Sequence, residues 1–382
     1  MSSFSNYEVE YYTGGAWVDI PNLQSLNCTI GRQQITDSFA ASNATFVFRY
    51  PNGFASPLAG LNIDVPIRFR TPNNLGSFPT WTGVIRDASV TWGMPYASGV
   101  GQADYLTIVA EDAIASYGRV TGDGYVVGAN NANPALTQAT LHFGLSWVGN
   151  LTNEPVGASS VSSSFMDWTQ KILNTVQGRP VNGFNMPTAI DPAQPPVAYL
   201  ARNVEISDAT VEFSDTLNDA THRIYDNLTF DSLADNYYTQ VLVTSPGLAD
   251  QTAQTGSAPY RTFVVDTFSQ STAQMSDIAN YVLTIAQGQV IAPSSISATT
   301  AGQHTQNLDT LGSTSFILTI LKMVKIAFRG STYYSRIEGA TLTADPEQTR
   351  ITYYLSPQQA NLWFILDSAV SGVLDQNRLG LY

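Results

Sequence analysis

From Val65 to Asp112 apolar and polar residues alternate in three successive runs, Val65 to Arg70, Trp81 to Thr91 and Tyr105 to Val109. Such alternation predicts strands with one face on a core. The same order returns near the end of the chain, in Val324 to Arg329, Tyr333 to Thr343 and Arg350 to Leu355. Trp81 falls at the step of Tyr333, Ile85 at that of Ile337, Ala88 at that of Ala340 and Val90 at that of Leu342. The expected fold is mainly β, with two related small β-barrels, an inserted mixed region and a few short helices. Any two three-stranded meanders can be overlaid in this way, so the overlay by itself leaves duplication and coincidence both open.

The remaining pattern fills in around these copies. Tyr7 to Tyr12 and Ala16 to Ile20 flank Gly14-Gly15 as an opening hairpin, and Leu26 to Ile30 and Ala44 to Tyr50 continue as strands. Ala110 to Tyr117 reads as a helical turn stopped at Gly118. Residues 119 to 164 are rich in Gly, Asn, Ser and Thr, and are expected to be a connector with little core and weak strands near Tyr125 and Leu141. Ser164 caps an expected helix carrying Phe165, Trp168, Ile172 and Val176 on one face. Past a Pro-rich segment from Pro180 to Pro196, strands are expected at Val204 to Phe213, Ile224 to Phe230, Tyr237 to Thr244 and Thr262 to Asp266. A polar loop from Gly247 to Ala258 separates the last two, and a helix follows over Met275 to Ile285. The resulting division is 1–118 for the first barrel, 119–235 for the inserted region, 236–357 for the second barrel with one helix, and 358–382 for an apolar docking segment. In that last segment Trp363, Phe364, Leu379 and Tyr382 are the candidate subunit-interface residues, because an apolar terminus is held against its own domain or a neighbour.

Composition narrows the function. A length of 382 residues suggests two or three domains, and only 12 % of residues are charged. The net charge of −13 and the lack of any basic run argue against a nucleic-acid grip, which needs clustered Lys and Arg. The lone Cys28 rules out an internal disulfide. The N-terminus has neither a basic nor an apolar leader segment, and the most apolar run, Phe316 to Phe328, is too short and too charged for a bilayer span of about 20 residues. A soluble protein made in a cytoplasm, without membrane insertion, is expected.

Chemistry is sparse. His142, His222 and His304 stand apart from one another, and no nucleophile elbow, phosphate loop or metal-ligand spacing is found. No catalytic residue, metal or cofactor is assigned, and no enzymatic activity is expected. Two weaker possibilities are an acidic stretch from Asp208 to Asp235, whose spacing fits neither a calcium loop nor a glycosidase pair, and a sugar platform built from Trp81, Trp92, Trp147, Trp168 and Trp363. Solvated turns and core packing account for these residues more simply.

Three segments carry a family resemblance. One runs from Gly31-Arg32 through Asn43 to Phe46, Pro66 to Arg68 and Trp81-Thr82-Gly83 to Ala110 to Ala113. Another covers Phe230 to Tyr238, Val241 to Gly247 and Tyr260 to Thr262. The last joins Arg350 to Leu355 with Leu366 to Ser368 and Gly372 to Gly380. In this order they resemble tail-tip proteins of long-tailed bacteriophages, the minor tail proteins related to baseplate hubs. The resemblance implies a structural virion protein at the tail tip, made in the host bacterial cytoplasm. It implies a homotrimer with two tube-forming barrels per subunit, hence pseudo-sixfold symmetry, between the tail tube or distal-tail ring protein and a central spike or fibre. Tape-measure protein and DNA would pass its lumen without specific binding, as the acidic charge allows. A hexameric distal-tail ring protein and a cell-wall carbohydrate-binding module are the alternatives.

Overall fold

A computed structural model describes residues 7–33, 41–50, 60–70, 81–93, 103–145, 147–151, 154–181, 197–200, 212–216, 222–232, 237–286, 291–299 and 323–357. The candidate interface residues Trp363, Phe364, Leu379 and Tyr382 lie outside the described residues, as do His304 and most of the Pro-rich stretch.

The opening hairpin forms as expected from β1 (Glu8–Thr13) and β2 (Ala16–Asp19). Gly14 and Gly15 both take positive φ, which a two-residue turn of this hand demands. Next come β3 (Leu23–Gly31), β4 (Asn43–Tyr50), β5 (Pro66–Arg70), β6 (Trp81–Thr91) and β7 (Asp104–Glu111), then α1 (Ala113–Arg119). Asp112 caps α1. Its carboxylate accepts from the N–H groups of Ile114 and Ser42, both at 3.0 Å, and so ties the helix to the start of β4.

Residues 119 to 181 form more than a connector. They contain β8 (Tyr125–Val127), β9 (Asn130–Asn131), α2 (Ala132–His142), β10 (Trp147–Asn150), β11 (Pro155–Val156), β12 (Ser159–Val161), α3 (Phe165–Val176) and β13 (Arg179–Val181), and β14 (Val197–Leu200) pairs back onto β10 and β13. A core of Tyr117, Leu136, Leu151, Val161, Phe165, Trp168 and Ile172 holds them together, contrary to the expectation of little core. The reason is α2. Its buried side chains are mostly alanines, Ala132, Ala135 and Ala139, so it packs closely without a strong apolar stripe in the sequence. The expected α3 is present, with the Ser164 hydroxyl accepting from the Asp167 N–H at 3.0 Å.

Beyond β15 (Glu212–Ser214), β16 (His222–Arg223) and β17 (Asn227–Asp231), a second small unit is built from β18 (Gln240–Thr244), β19 (Gln251–Gln254), β20 (Thr262–Asp266) and α4 (Thr272–Ala286). Val241, Val243, Ala253, Val265, Met275, Ile278 and Leu283 form its core. The expected polar loop from 247 to 258 thus contains a strand, which pairs antiparallel with β18. Polar residues suit it because it is an edge strand with Ala253 alone turned to the core. The two small units meet at Phe268, whose N–H donates to the Thr175 hydroxyl at 2.8 Å and whose carbonyl accepts from Gly157 at 2.6 Å.

The chain ends its described part with β21 (Ala292–Thr299), β22 (Met323–Phe328), β23 (Ser331–Ala344) and β24 (Thr349–Pro357). These join β1–β7 and β15–β17 in one sheet of 14 strands among the described residues. The protein is mainly β, and the expected pair of related units is present as two halves of this sheet. The first half runs β3-β4-β7-β6-β5-β1 and the second β17-β21-β24-β23-β22-β15. Strand membership does not follow the expected boundary between 235 and 236. β15–β17 belong to the second half, while β18–β20 and α4 stand outside it.

The halves match in detail. Ile85 pairs with Ala110 and Ile337 with Leu355, and in each ladder the register shifts immediately afterwards, at Arg86 and at Glu338. A bulge at the same step of both copies is a feature that coincidence does not supply. Glu10 and Arg68 face each other across β1 and β5, 2.7 Å apart, and Glu212 and Lys325 do so across β15 and β22 at the same separation. Arg68 is opposite Thr82 and Lys325 opposite Tyr334, so the two basic residues occupy matching positions, although their carboxylate partners come from strands of opposite direction, β1 antiparallel to β5 and β15 parallel to β22. The ladders also correct the sequence overlay of the first strand. Ile67 corresponds to Val324 and Phe69 to Ile326, two residues from the sequence match, and a shift of two keeps every side chain on its face.

Phe46, Phe69 and Trp81 pack ring on ring in the first half, with Phe69 and Trp81 stacked at 6.1 Å. Phe69→Ala is expected to cost about 3–5 kcal/mol, read as a lowered urea midpoint.

Candidate assembly interface

The sheet edges carry the most distinctive geometry among the described residues. β23 is long enough to serve two partners along one side. Its first part, Ser331–Arg336, pairs with β22, and its second part, Gly339–Ala344, pairs antiparallel with β3 of the other half. This seam joins residues more than 300 positions apart. Leu26, Cys28 and Ile30 face Ala344, Leu342 and Ala340 across it, all of them buried. Burial pushes the Cys28 thiol well up, with Asp112 adding to the effect, so it behaves as a small core side chain and not as a nucleophile.

Gly339 sets how closely the seam can approach. A Cβ there would lie 2.5 Å from the carbonyl oxygens of both Ile30 and Arg32, so the β3 backbone would have to move. Beside it, Glu338 is 0 % exposed. The Arg32 Nε donates to one carboxylate oxygen at 2.8 Å, the Arg336 Nε donates to the other at 2.8 Å, and the Ser356 hydroxyl donates to the same oxygen as Arg336. The Arg32 N–H also donates to the Glu338 carbonyl at 3.0 Å, so backbone and side chain clamp one point. Burial alone would raise the Glu338 pKa, but the two guanidinium groups and the Ser356 hydroxyl outweigh it and hold the carboxyl far below the ordinary range. The bulge residue of the first half has the opposite charge. Arg86 is half-buried and lies 3.0 Å from Glu111.

Among the described residues no analogous cover lies at the first half. Val84 ends the pairing of β6 with β5, and among the described residues no strand lies on the outer edge of Asp87–Thr91. Trp92, which matches the buried Ala344, is 60 % exposed. At the far end of the second half, β17 pairs with β21 on one side and, among the described residues, with nothing on the other.

The sequence-level candidates scatter. Trp81 and Trp168 are core side chains, Trp92 is exposed, and Trp147 sits at the insert, so these do not assemble into one platform. In the acidic stretch Glu212 pairs with Lys325, and the Asp215 carboxylate accepts from the Arg329 N–H at 2.8 Å. His142 stacks on Tyr125 and contacts Asp123 at 2.7 Å, far from any other candidate in sequence. Among the described residues no three His, Cys, Asp or Glu side chains come together as metal ligands. Sequence reasoning missed Arg32, Arg336 and Glu338. The signal for Arg336 and Glu338 was a pair of charges inside an otherwise uncharged strand next to a glycine, at the step where the first half also carries charge.

With this architecture in view, solved structures of similar shape are informative. The 43 kDa tail protein of prophage MuSo2 from Shewanella oneidensis superposes with a TM-score of 0.63 at 11 % identity, over 92 % of this chain and 98 % of that one. The tail protein from Neisseria meningitidis MC58 gives 0.60 at 12 % identity, over 92 % and 97 %. The chain has the fold of phage tail proteins. The E. coli c3393 protein, a type VI secretion component described as similar to the T4 tail proteins gp27 and gp5, gives 0.53 at 11 % identity, over 89 % and 74 %. No protein-family model and no curated protein sequence matches the chain.

In a tail-protein fold the seam cluster has a measurable signature. Glu338→Gln leaves two guanidinium groups buried without their carboxylate and is expected to cost about 3–5 kcal/mol at pH 7 by urea denaturation. Because the folded pKa lies below the unfolded value of about 4.3, this stabilisation is complete above about pH 5 and is lost as the pH falls through and below 4. The stability of Glu338→Gln should therefore fall less steeply than that of the native chain between pH 5 and pH 3.

Proposed function

We propose that this protein is a structural component of a phage tail tip, a baseplate hub ring of three copies. The observation that carries the reading is the repeated half-sheet, with its matching strand order and matching bulges. Three chains with two equivalent halves each present six similar units to a sixfold tail tube, and threefold symmetry to a central spike or fibre. The fold shared with the Shewanella and Neisseria tail proteins supports a role in the tail. The net charge of −13 suits a channel through which tape-measure protein and DNA slide, because a basic lining would hold phosphate. The role is assembly, with the apolar segment 358–382 as a further docking element toward neighbours.

Symmetry-free averaging of images of the assembled recombinant chain, with native mass measurement, tests this. Three chains per ring with six density lobes are expected. Six chains per ring would instead make it a distal-tail collar. A chain that stays monomeric at high concentration and binds cell-wall glycan with a change in Trp fluorescence would replace the hub by a carbohydrate-binding module.

A further inference from the structure

The seam inside the chain specifies a second seam that the chain cannot make with itself in the same arrangement. β3 of the first half pairs with the second part of β23, and the matching elements are β17 and the second part of β6. The ladders give the residue correspondence directly. Ala88, Ser89, Val90, Thr91 and Trp92 match Ala340, Thr341, Leu342, Thr343 and Ala344, through their common relation to β7 and β24. Leu26 and Asn27 match Leu228 and Thr229 through β4 and β21, and Cys28 and Thr29 then match Phe230 and Asp231.

We infer that Ala88–Trp92 of one copy pairs antiparallel with Leu228–Ser232 of a second copy of this chain, with Trp92 opposite Leu228, Thr91 opposite Thr229 and Val90 opposite Phe230. This rests on the hub reading and names the contact through which the ring closes. The operation that carries the first half onto the second within a chain carries the second half onto the first half of the next copy, a head-to-tail contact that repeats around a ring.

The side chains suit that register. Trp92, exposed in the single chain, gains Leu228 as cover, as Ala344 is covered by Leu26. Val90 and Phe230 are half-buried and apolar, whereas their counterparts Leu342 and Cys28, already paired, are buried. Thr29 and Thr341 bring their hydroxyls to 3.4 Å across the existing seam, and at the second seam a Ser89 hydroxyl faces an Asp231 carboxylate, a donor opposite an acceptor. No like charges meet. The second seam is also shorter. Asp87 stands where Gly339 allows close approach, so pairing stops at Ala88. Unpaired strand edges of this kind are templates for another strand, and a copy of the same chain supplies one of matching length.

A double variant, Thr91→Cys with Thr229→Cys, tests the register, because directly opposed residues lie about 4.5–5.5 Å apart at Cα, within disulfide reach. Cys28 is buried and gives no background. Mild oxidation of the full-length assembled protein should shift most chains to two- and three-chain bands on a denaturing gel. Each single variant, and Val90→Cys paired with Thr229→Cys, should stay at one chain. In the unmodified protein, backbone amides of 88–92 and 227–232 should lose exchange on assembly. Rings in images without cross-linked bands and without that protection overturn the seam and leave the hub reading standing. A disulfide formed within one chain also overturns it. A protein that forms no ring and shows neither signal removes both the seam and the reading beneath it.

Discussion

The contact on which this molecule depends is the ladder between β3 and β23, with Glu338 buried between Arg32 and Arg336 at its centre. Without it the two halves would be separate sheets linked by the inserts. Closing so long a stretch of chain is entropically unfavourable, though only logarithmically so, and the buried apolar pairs along the seam offset it. The ionic cluster contributes selectivity more than net stability. A one-residue slip would turn every seam side chain to the wrong face and leave a buried carboxylate without its guanidinium partners, an outcome worth several kcal/mol. Gly339 acts in the same direction by letting the backbones approach only at that place.

The two halves share their strand order and bulge and differ where their surroundings differ. The bulge position holds a buried Glu338 in one half and a half-buried Arg86 in the other. The matching position at the strand end is a covered Ala344 in one and an exposed Trp92 in the other. The shared features are those that shape the sheet, namely strand order and bulge. The divergent ones lie along the edge that is covered in the second half and open in the first.

The inserted units sit outside this logic. Their cores are separate from that of the sheet, and they lean on each other through Phe268 and the Thr175 hydroxyl. The first lies between the two halves in sequence and the second between β17 and β21 of the second half, and both leave the strand order intact, as insertions into loops of a stable scaffold do.

The alternation of Trp81 to Thr91 and Tyr333 to Thr343 by itself determined the strands and their faces, because period-2 patterning and turn glycines are local properties, while the likeness of the two halves needed the ladders and their bulges. Ser164 likewise marked a helix start through local capping, whereas the expected turn from Ala110 begins only after Asp112, because Ala110 and Glu111 belong to β7. Pairing partners are not local. That β15 and β17 belong to the second half, that β18–β20 form a sheet apart, and that α2 packs through alanines all depend on contacts between distant segments. Charges at Arg32, Arg336 and Glu338 read along the chain as ordinary strand polars. Only the tertiary structure made them one buried cluster, because the meaning of a charge is set by what surrounds it, and those surroundings come from the opposite end of the chain.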